Sequence, residues 1–176
     1  MPTVTIDGKT ITVERGSTII QAADALGIYI PRFCYHPKLS VVAQCRQCMV
    51  EIQQPAPPPG AAPRPFTACS TPVADGMVVS TTSEVAVQAQ KGVVEFLLLN
   101  HPLDCPICDQ GGECPLQDIT MAFGKSITRS EFVRRTYPKL EISAYIEPEM
   151  NRCVHCTRCI RFSEEIDGAS EFGFVD

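Results

Sequence analysis

Residues 100–118 read Asn-His-Pro-Leu-Asp-Cys-Pro-Ile-Cys-Asp-Gln-Gly-Gly-Glu-Cys-Pro-Leu-Gln-Asp, and they contain the spacing His101-x3-Cys105-x2-Cys108-x5-Cys114. Three thiols and one imidazole thus fall within fourteen residues, among prolines and glycines rather than on a helical face. Thiolates select zinc or iron–sulfur clusters, and a single imidazole suits either. Two further groups flank this stretch: Cys34, Cys45, Cys48 and Cys69 before it, and Cys153, Cys156 and Cys159 after it. The three groups use all ten cysteines of the chain. A chain that places every thiol at metal-like spacing reads most simply as a relay of redox centres.

Composition narrows the alternatives. At 176 residues the chain is long enough for one domain or two, and metal centres allow smaller modules that lack a full core. A hydrophobic content of 44% with 20% charged residues fits a soluble globular chain. The net charge of −5 and the lack of a basic stripe argue against nucleic acid as a partner. The longest apolar run, Val93-Val94-Glu95-Phe96-Leu97-Leu98-Leu99, is broken by a charge and too short to span a bilayer. The N-terminal MPTVTIDGKT has neither a secretory h-region nor the Arg-rich character of a transit peptide, so a cytoplasmic chain is expected. In that compartment cysteines bind metal more readily than they form disulfides. An even count would permit five bridges, but structural bridges rarely close loops as short as Cys-x2-Cys.

Around the cysteines the pattern predicts a small sheet and a helix. Thr3–Ile6 and Thr10–Val13 are rich in β-branched residues, and Asp7-Gly8 between them signals a type I′ turn. Ser17 or Thr18 caps a short helix through Leu26, with Gly27 just past its end. A strand from Cys48 to Gln53 and a last strand at Met77-Val78-Val79 complete a β-grasp arrangement. Between them Gln54–Pro65 holds six prolines in twelve residues and reads as a polyproline-like surface loop. Ser83 caps a second helix from about Glu84 to Leu99, with Val85, Ala89, Val93, Phe96 and Leu97 as its apolar stripe. Gly92 costs that helix about 1 kcal/mol relative to Ala, for which close packing is the expected reason. Asn100-His101-Pro102 ends the helix and delivers His101 at its exit. Residues 121–146 are mixed, and Arg129, Arg134, Arg135 and Lys139 are expected to form a solvated basic face.

Each cysteine group has its own chemistry. Cys34-x10-Cys45-x2-Cys48-x20-Cys69 supplies four thiolates, enough for one [2Fe–2S] cluster, with three in one loop and the fourth from a later strand edge. That is the topology of plant-type ferredoxins, whose first spacing is shorter; zinc is the competing occupant. Cys153, Cys156 and Cys159 suit three corners of a [4Fe–4S] cluster. Where a two-cluster bacterial ferredoxin places a fourth cysteine, this chain has Ser163. No cysteine follows before Asp176, so this centre lacks a fourth ligand on the chain, and His155 reads as an ordinary loop histidine.

The motifs CRQCMVEI, CSTPVADGMVVST, LLNHPLDCPICDQGGECPLQD and EMNRCVHCTRCIRF resemble the start of the large iron–sulfur subunit, the G subunit, of bacterial NADH:quinone oxidoreductase (complex I). The resemblance spans essentially the whole chain. It implies an α+β chain: a β-grasp [2Fe–2S] ferredoxin-type domain at 1–82, a helical [4Fe–4S] module at 83–122, a connecting segment at 123–146, and an incomplete [4Fe–4S] ferredoxin-type module at 147–176. It implies a [2Fe–2S] cluster on Cys34, Cys45, Cys48 and Cys69, and a [4Fe–4S] cluster on His101, Cys105, Cys108 and Cys114. A second [4Fe–4S] cluster would use Cys153, Cys156, Cys159 and a cysteine further on in the family. Because the chain stops at residue 176, before that cysteine, it reads as an N-terminal fragment or a truncated product.

The function so implied is a relay of single electrons from the flavin of a partner subunit toward quinone, with no bond-making residue on this chain. The partners would be other peripheral-arm subunits, notably the flavin- and NADH-binding one. The place would be the cytoplasmic side of the bacterial inner membrane, without a membrane span. Two alternatives stand beside it. One is the diaphorase subunit of a soluble NAD-reducing hydrogenase or formate dehydrogenase, where an extra cysteine often follows the third motif and Ser163 argues against it. The other is a zinc-stapled interaction module.

Overall fold

The computed structural model describes residues 1–53, 62–139 and 141–173. The chain is a mixed α+β structure. Strand β1 (Thr3–Ile6) pairs antiparallel with β2 (Lys9–Thr12), and the turn between them holds Asp7 at φ 45° and Gly8 at φ 80°. Positive φ at both central residues is the type I′ geometry, which matches the twist of the two strands. Helix α1 (Ile19–Ala25) begins at Thr18, whose backbone N–H donates to Gln21 Oε1 at 2.8 Å. It ends in a Schellman closure: the Gly27 and Ile28 N–H groups reach back to the Asp24 and Ala23 carbonyls, with Gly27 at φ 69°.

Strands β3 (Met49–Gln53), β4 (Pro65–Thr67) and β5 (Met77–Ser80) complete a five-stranded sheet in the order β2-β1-β5-β3-β4. β5 runs parallel to β1 and antiparallel to β3, so the last strand in sequence lies at the centre. Val4, Ile6, Val50 and Val79 from the sheet meet Ile19, Ile20, Ala22 and Ala23 of α1 in one buried core, which also contains Cys48 and Cys69. Burying each Val or Ile side chain contributes roughly 1.5–3 kcal/mol, so this core fixes Cys48 and Cys69 in place. Most of the proline-rich stretch expected as a surface loop, residues 54–61, lies outside the described residues.

Helix α2 (Glu84–Leu98) starts where expected, with Ser83 Oγ accepting from the Ala86 N–H at 3.3 Å. Its buried face is not the expected one. Ala86, Gln90 and Val94 are buried, whereas Phe96 is 72% exposed. Gln90 sits inside because its Nε2 donates to the Met49 carbonyl at 2.8 Å, which lets a polar residue join the stripe. Close packing does not explain Gly92 either, since a Cβ there would meet nothing within 4 Å. Helices α3 (Pro115–Phe123) and α4 (Arg158–Phe162), with 3-10 turns at Cys105–Ile107 and Met150–Arg152, carry the rest. The four basic residues of 129–139 are all exposed to solvent, as expected, and three of them also have specific neighbours. Arg129 pairs with Glu95 at 2.7 Å, Lys139 pairs with Glu147 at 2.6 Å, and Arg134 lines the cavity of the second cysteine group.

Candidate metal centres

The first group sits at one end of the sheet. Cys48 precedes β3 and Cys69 follows β4, and the two chain segments are tied by the Ala68 N–H to the Cys48 carbonyl at 2.9 Å. Cys34 and Cys45 come from the loop between α1 and β3, which turns through Ala43 at φ 52° and Arg46 at φ 59°. That left-handed backbone points N–H groups inward, and the Cys34 N–H donates to Cys45 Sγ at 3.4 Å. Cys34, Cys48 and Cys69 are buried and Cys45 is half-buried. Cys34 touches both Cys45 and Cys69 through sulfur, and Cys48 touches Cys69. The thiols that accept are pulled down, Cys34 by Cys45 and Cys69, and Cys48 to about 7 chiefly by Cys69. Those that donate, Cys45 and Cys69, are pushed up, with burial adding to the rise. Four sulfurs this close cannot all ionise unless a positive centre lies among them, so the site fits a multivalent metal group. All ten cysteines of the chain are free.

Gln47, between Cys45 and Cys48, was not singled out in the sequence and is fully buried. Its Nε2 donates to the Gln90 carbonyl at 3.4 Å, which ties the cysteine loop to α2, and its Oε1 has no protein partner among the described residues. A buried amide is a weak signal in sequence, since nothing in the spacing marks it as interior.

The second group encloses a cavity of about 280 Å³ lined by His101, Cys105, Cys108 and Cys114, with Leu98, Leu116 and Met121 forming an apolar wall. His101 leaves α2 three residues past its end. Cys105 opens a 3-10 turn, and Cys114 is the residue before Pro115, the first of α3. Gly111 makes the loop possible: a Cβ on it would lie 2.7 Å from the Cys105 carbonyl oxygen and 3.1 Å from that of Cys108. Burial pushes the His101 imidazolium down, with the charges of Arg152 and Arg134 adding to it against Asp104. A neutral imidazole keeps the lone pair a metal requires. Among the described residues no group of His, Cys, Asp or Glu is gathered as ligands to one metal ion. His101, Cys105, Cys108 and Cys114 nevertheless line this one cavity together.

The third group is more open. Cys153 ends a 3-10 turn and accepts from the His155 N–H at 3.4 Å, and His155 (φ 52°) and Thr157 (φ 58°) turn the chain into α4, which carries Cys159. Cys153 and Cys159 are exposed and Cys156 is half-buried. Ser163 is buried, and its Oγ accepts from the Glu171 N–H at 3.0 Å, a turn-closing role in place of a ligand.

The three groups adjoin one another. Phe33, Val94, Leu116 and Ile119 form a buried apolar cluster, and Cys45, Cys114 and Cys156 all pack against it, one cysteine from each group. His101 and Cys153 line one cavity of about 290 Å³, and Cys45 and His155 line another of about 390 Å³.

Comparison with known proteins bears on each part. Residues 1–84 match a family model described as a 2Fe-2S iron-sulfur cluster binding domain. Residues 90–129 match the NADH-ubiquinone oxidoreductase-G iron-sulfur binding region, and 143–176 the ferredoxin-like domain of NADH-quinone oxidoreductase subunit 3. The chain is 45% identical over 99% of its length to the NADH-ubiquinone oxidoreductase 75 kDa subunit of Reclinomonas americana, covering 24% of that protein. It is 48% identical over 97% of its length to the mitochondrial 78 kDa subunit of Neurospora crassa, covering 22% of it. The chain thus spans about a quarter of the length of these curated relatives. A solved structure of an NAD+-reducing [NiFe]-hydrogenase in the H2-reduced state superposes with a TM-score of 0.80 at 30% identity, over 99% of this chain and 70% of that one.

Proposed function

Because the chain belongs to the family of the large iron–sulfur subunits of NADH-ubiquinone oxidoreductase, matching their N-terminal region, we propose that it forms part of an electron relay in such an enzyme. Bound iron–sulfur clusters would supply one-electron transfer, taking electrons from the flavin of a partner subunit and passing them toward quinone. The observation that carries this reading is the shared apolar cluster, against which one cysteine of each group packs. Dry, rigid packing between redox centres is what a relay needs, and a zinc-stapled interaction module has no use for it.

In this reading Cys34, Cys45, Cys48 and Cys69 hold a [2Fe–2S] cluster within a β-grasp domain at 1–82. His101, Cys105, Cys108 and Cys114 hold a [4Fe–4S] cluster in a module at 83–122. A connecting segment at 123–146 leads to a module at 147–176, where Cys153, Cys156 and Cys159 hold three corners of a second [4Fe–4S] cluster. Its fourth ligand is not among the ten cysteines. The chain's residues bind, bury and tune; none makes or breaks a substrate bond. Backbone N–H groups such as that of Cys34 stabilise electron-rich sulfur, and Arg134 and Arg152 place positive charge at the cavity of the second group. His101 is neutral where the other ligands are anionic, which raises the potential of its centre. The domain partners are the peripheral-arm subunits, including the flavin- and NADH-binding one, on the cytoplasmic side of the inner membrane in a bacterium. No described helix is long and apolar enough to cross a membrane.

A second reading, the corresponding subunit of an NAD-reducing hydrogenase, draws on the superposition with that enzyme. The higher identity to the oxidoreductase subunits, 45% and 48% against 30%, favours the first. Anaerobic reconstitution followed by iron, sulfide and zinc analysis tests the relay itself. Iron with acid-labile sulfide is expected, and stoichiometric zinc without sulfide would remove the proposal. Replacing His101 by Cys tests the second ligand set: the cluster should persist at a lower potential, and an unchanged potential would return His101 to a helix-end role.

A further inference from the structure

Helix α4 carries two guanidinium groups, Arg158 and Arg161, and both reach across to the first cysteine group. Arg161 is 6% exposed. Its Nη2 donates to the Cys34 carbonyl and to the Cys156 carbonyl, the latter at 3.4 Å, and its Nη1 donates to the Ser40 carbonyl at 2.6 Å. Arg158 Nη2 donates to the Tyr35 carbonyl at 2.8 Å. Neither guanidinium is in ion-pair contact with a carboxylate among the described residues, whose four pairs involve Arg32, Arg129, Lys139 and Arg152. Glu165 is the nearby acid; it is exposed and both its oxygens accept from Ser40, so its charge acts on Arg161 without a direct contact.

Carbonyls satisfy the hydrogen bonds of a buried guanidinium but carry no net charge. Taking such a cation out of water is costly unless an anion compensates. Arg161 bonds directly to the backbone of two cysteines, Cys34 of the first group and Cys156 of the third. Thiolate-bound clusters are net anions. They would place anionic charge directly beside the guanidinium, where Glu165 acts only from the surface.

We propose that Arg161 is a shared counter-cation and positioning residue for the first and third centres, holding the two modules together and raising the reduction potential of both. This rests on the cluster assignments made above. A fixed positive charge stabilises the reduced, more negative state of each centre. One residue therefore shifts two neighbouring relay stations in the same direction and keeps their potentials matched, while the His101 centre, which it does not touch, stays apart.

The test is made in the full-length protein within its assembled complex, comparing Arg161→Gln and Arg161→Lys with the unaltered form. Iron and acid-labile sulfide are measured first, and potentials follow from redox titration monitored by electron paramagnetic resonance. Arg161→Gln is expected to keep its clusters and to weaken reduction of the first and third centres by about tenfold each, which is ~59 mV for a one-electron couple. Arg161→Lys should recover most of that shift, because it restores the charge without the fork. Full cluster content with unmoved potentials in Arg161→Gln would overturn the inference, as would equal shifts in the Gln and Lys variants. If Arg161→Gln loses its clusters, Arg161→Lys decides: clusters retained near the original potentials support the charge role, and clusters lost alike overturn it. Absence of iron and sulfide from the unaltered protein would instead overturn the relay reading, before any substitution is compared.

Discussion

The sheet module and the cysteine loops beyond residue 100 hold their thiols by different means. In the sheet module Cys34, Cys48 and Cys69 are at most 1% exposed, and Cys48 and Cys69 belong to the main core. Beyond residue 100, Cys105, Cys153 and Cys159 are exposed, and the supporting buried cluster is only Phe33, Val94, Leu116 and Ile119. Two thiols of the first group are thus part of a large buried core. The other two groups sit on turns, glycines and a small apolar cluster, so in the proposed reading metal ligation supplies order that burial does not.

Stripping the metal gives the largest effect and the sharpest break in this comparison. Removing iron with a chelator should leave amide protection in β1, β3 and β5 largely intact while protection across 100–123 and 147–173 falls. Hydrogen exchange followed by mass spectrometry reads both halves at once, and uniform loss of protection would erase the distinction. Next in size is Gly111→Ala. The new Cβ collides with the Cys105 carbonyl, so the loop must distort at a cost of roughly 1–3 kcal/mol. The His101 centre should lose iron while the [2Fe–2S] signal of the sheet module is unchanged.

A smaller effect concerns the tie between α2 and the segment after α3. Hydrogen bonds from the Arg129 side chain and N–H hold the Glu95 carboxyl down at about 2. Its folded pKa is depressed, so the contact contributes fully above the ordinary value near 4.5 and is lost as pH falls from there toward about 2. A nuclear magnetic resonance titration of Glu95 should show that low midpoint, and Arg129→Gln should return it toward 4.5. Gly92→Ala should have the least effect. With open space at the Cβ, it should stabilise α2 by about 0.5–1 kcal/mol, read as a small rise in Tm. A fall in stability would mean that the groove beside Cys45 and His155 needs its glycine.

The sheet module was far more legible in sequence than the rest, for the same reason that it is better buried. Alternating β-branched residues and Asp7-Gly8 declare a hairpin, and Thr18 with Gly27 and Ser83 mark helix ends, because local backbone chemistry decides each of them. β4 went unread since it is three residues long and begins with a proline after a proline-rich stretch. α3 was not singled out, although Pro115 at its first position with Leu116, Ile119 and Phe123 at helical spacing was available as a signal. α4 has five residues, too few for periodicity to show. The buried face of α2 was misread because Gln90 is interior only through a tertiary bond to Met49. The cysteine spacings pointed to three centres, but not to the apolar cluster where they meet or to Arg161 between two of them. Those depend on contacts across 43 to 127 residues of chain, which local pattern does not record.

The central position of β5 has a consequence for biosynthesis. Val4 pairs with Met77 and Ile52 with Val79, so the β1-β2 hairpin and the β3-β4 pair remain unconnected until residues near 80 have been made. All four thiols of the first group, ending with Cys69, precede that closing strand in the chain. The proposed ligand set is therefore synthesised complete before the strand that joins the two halves of the sheet.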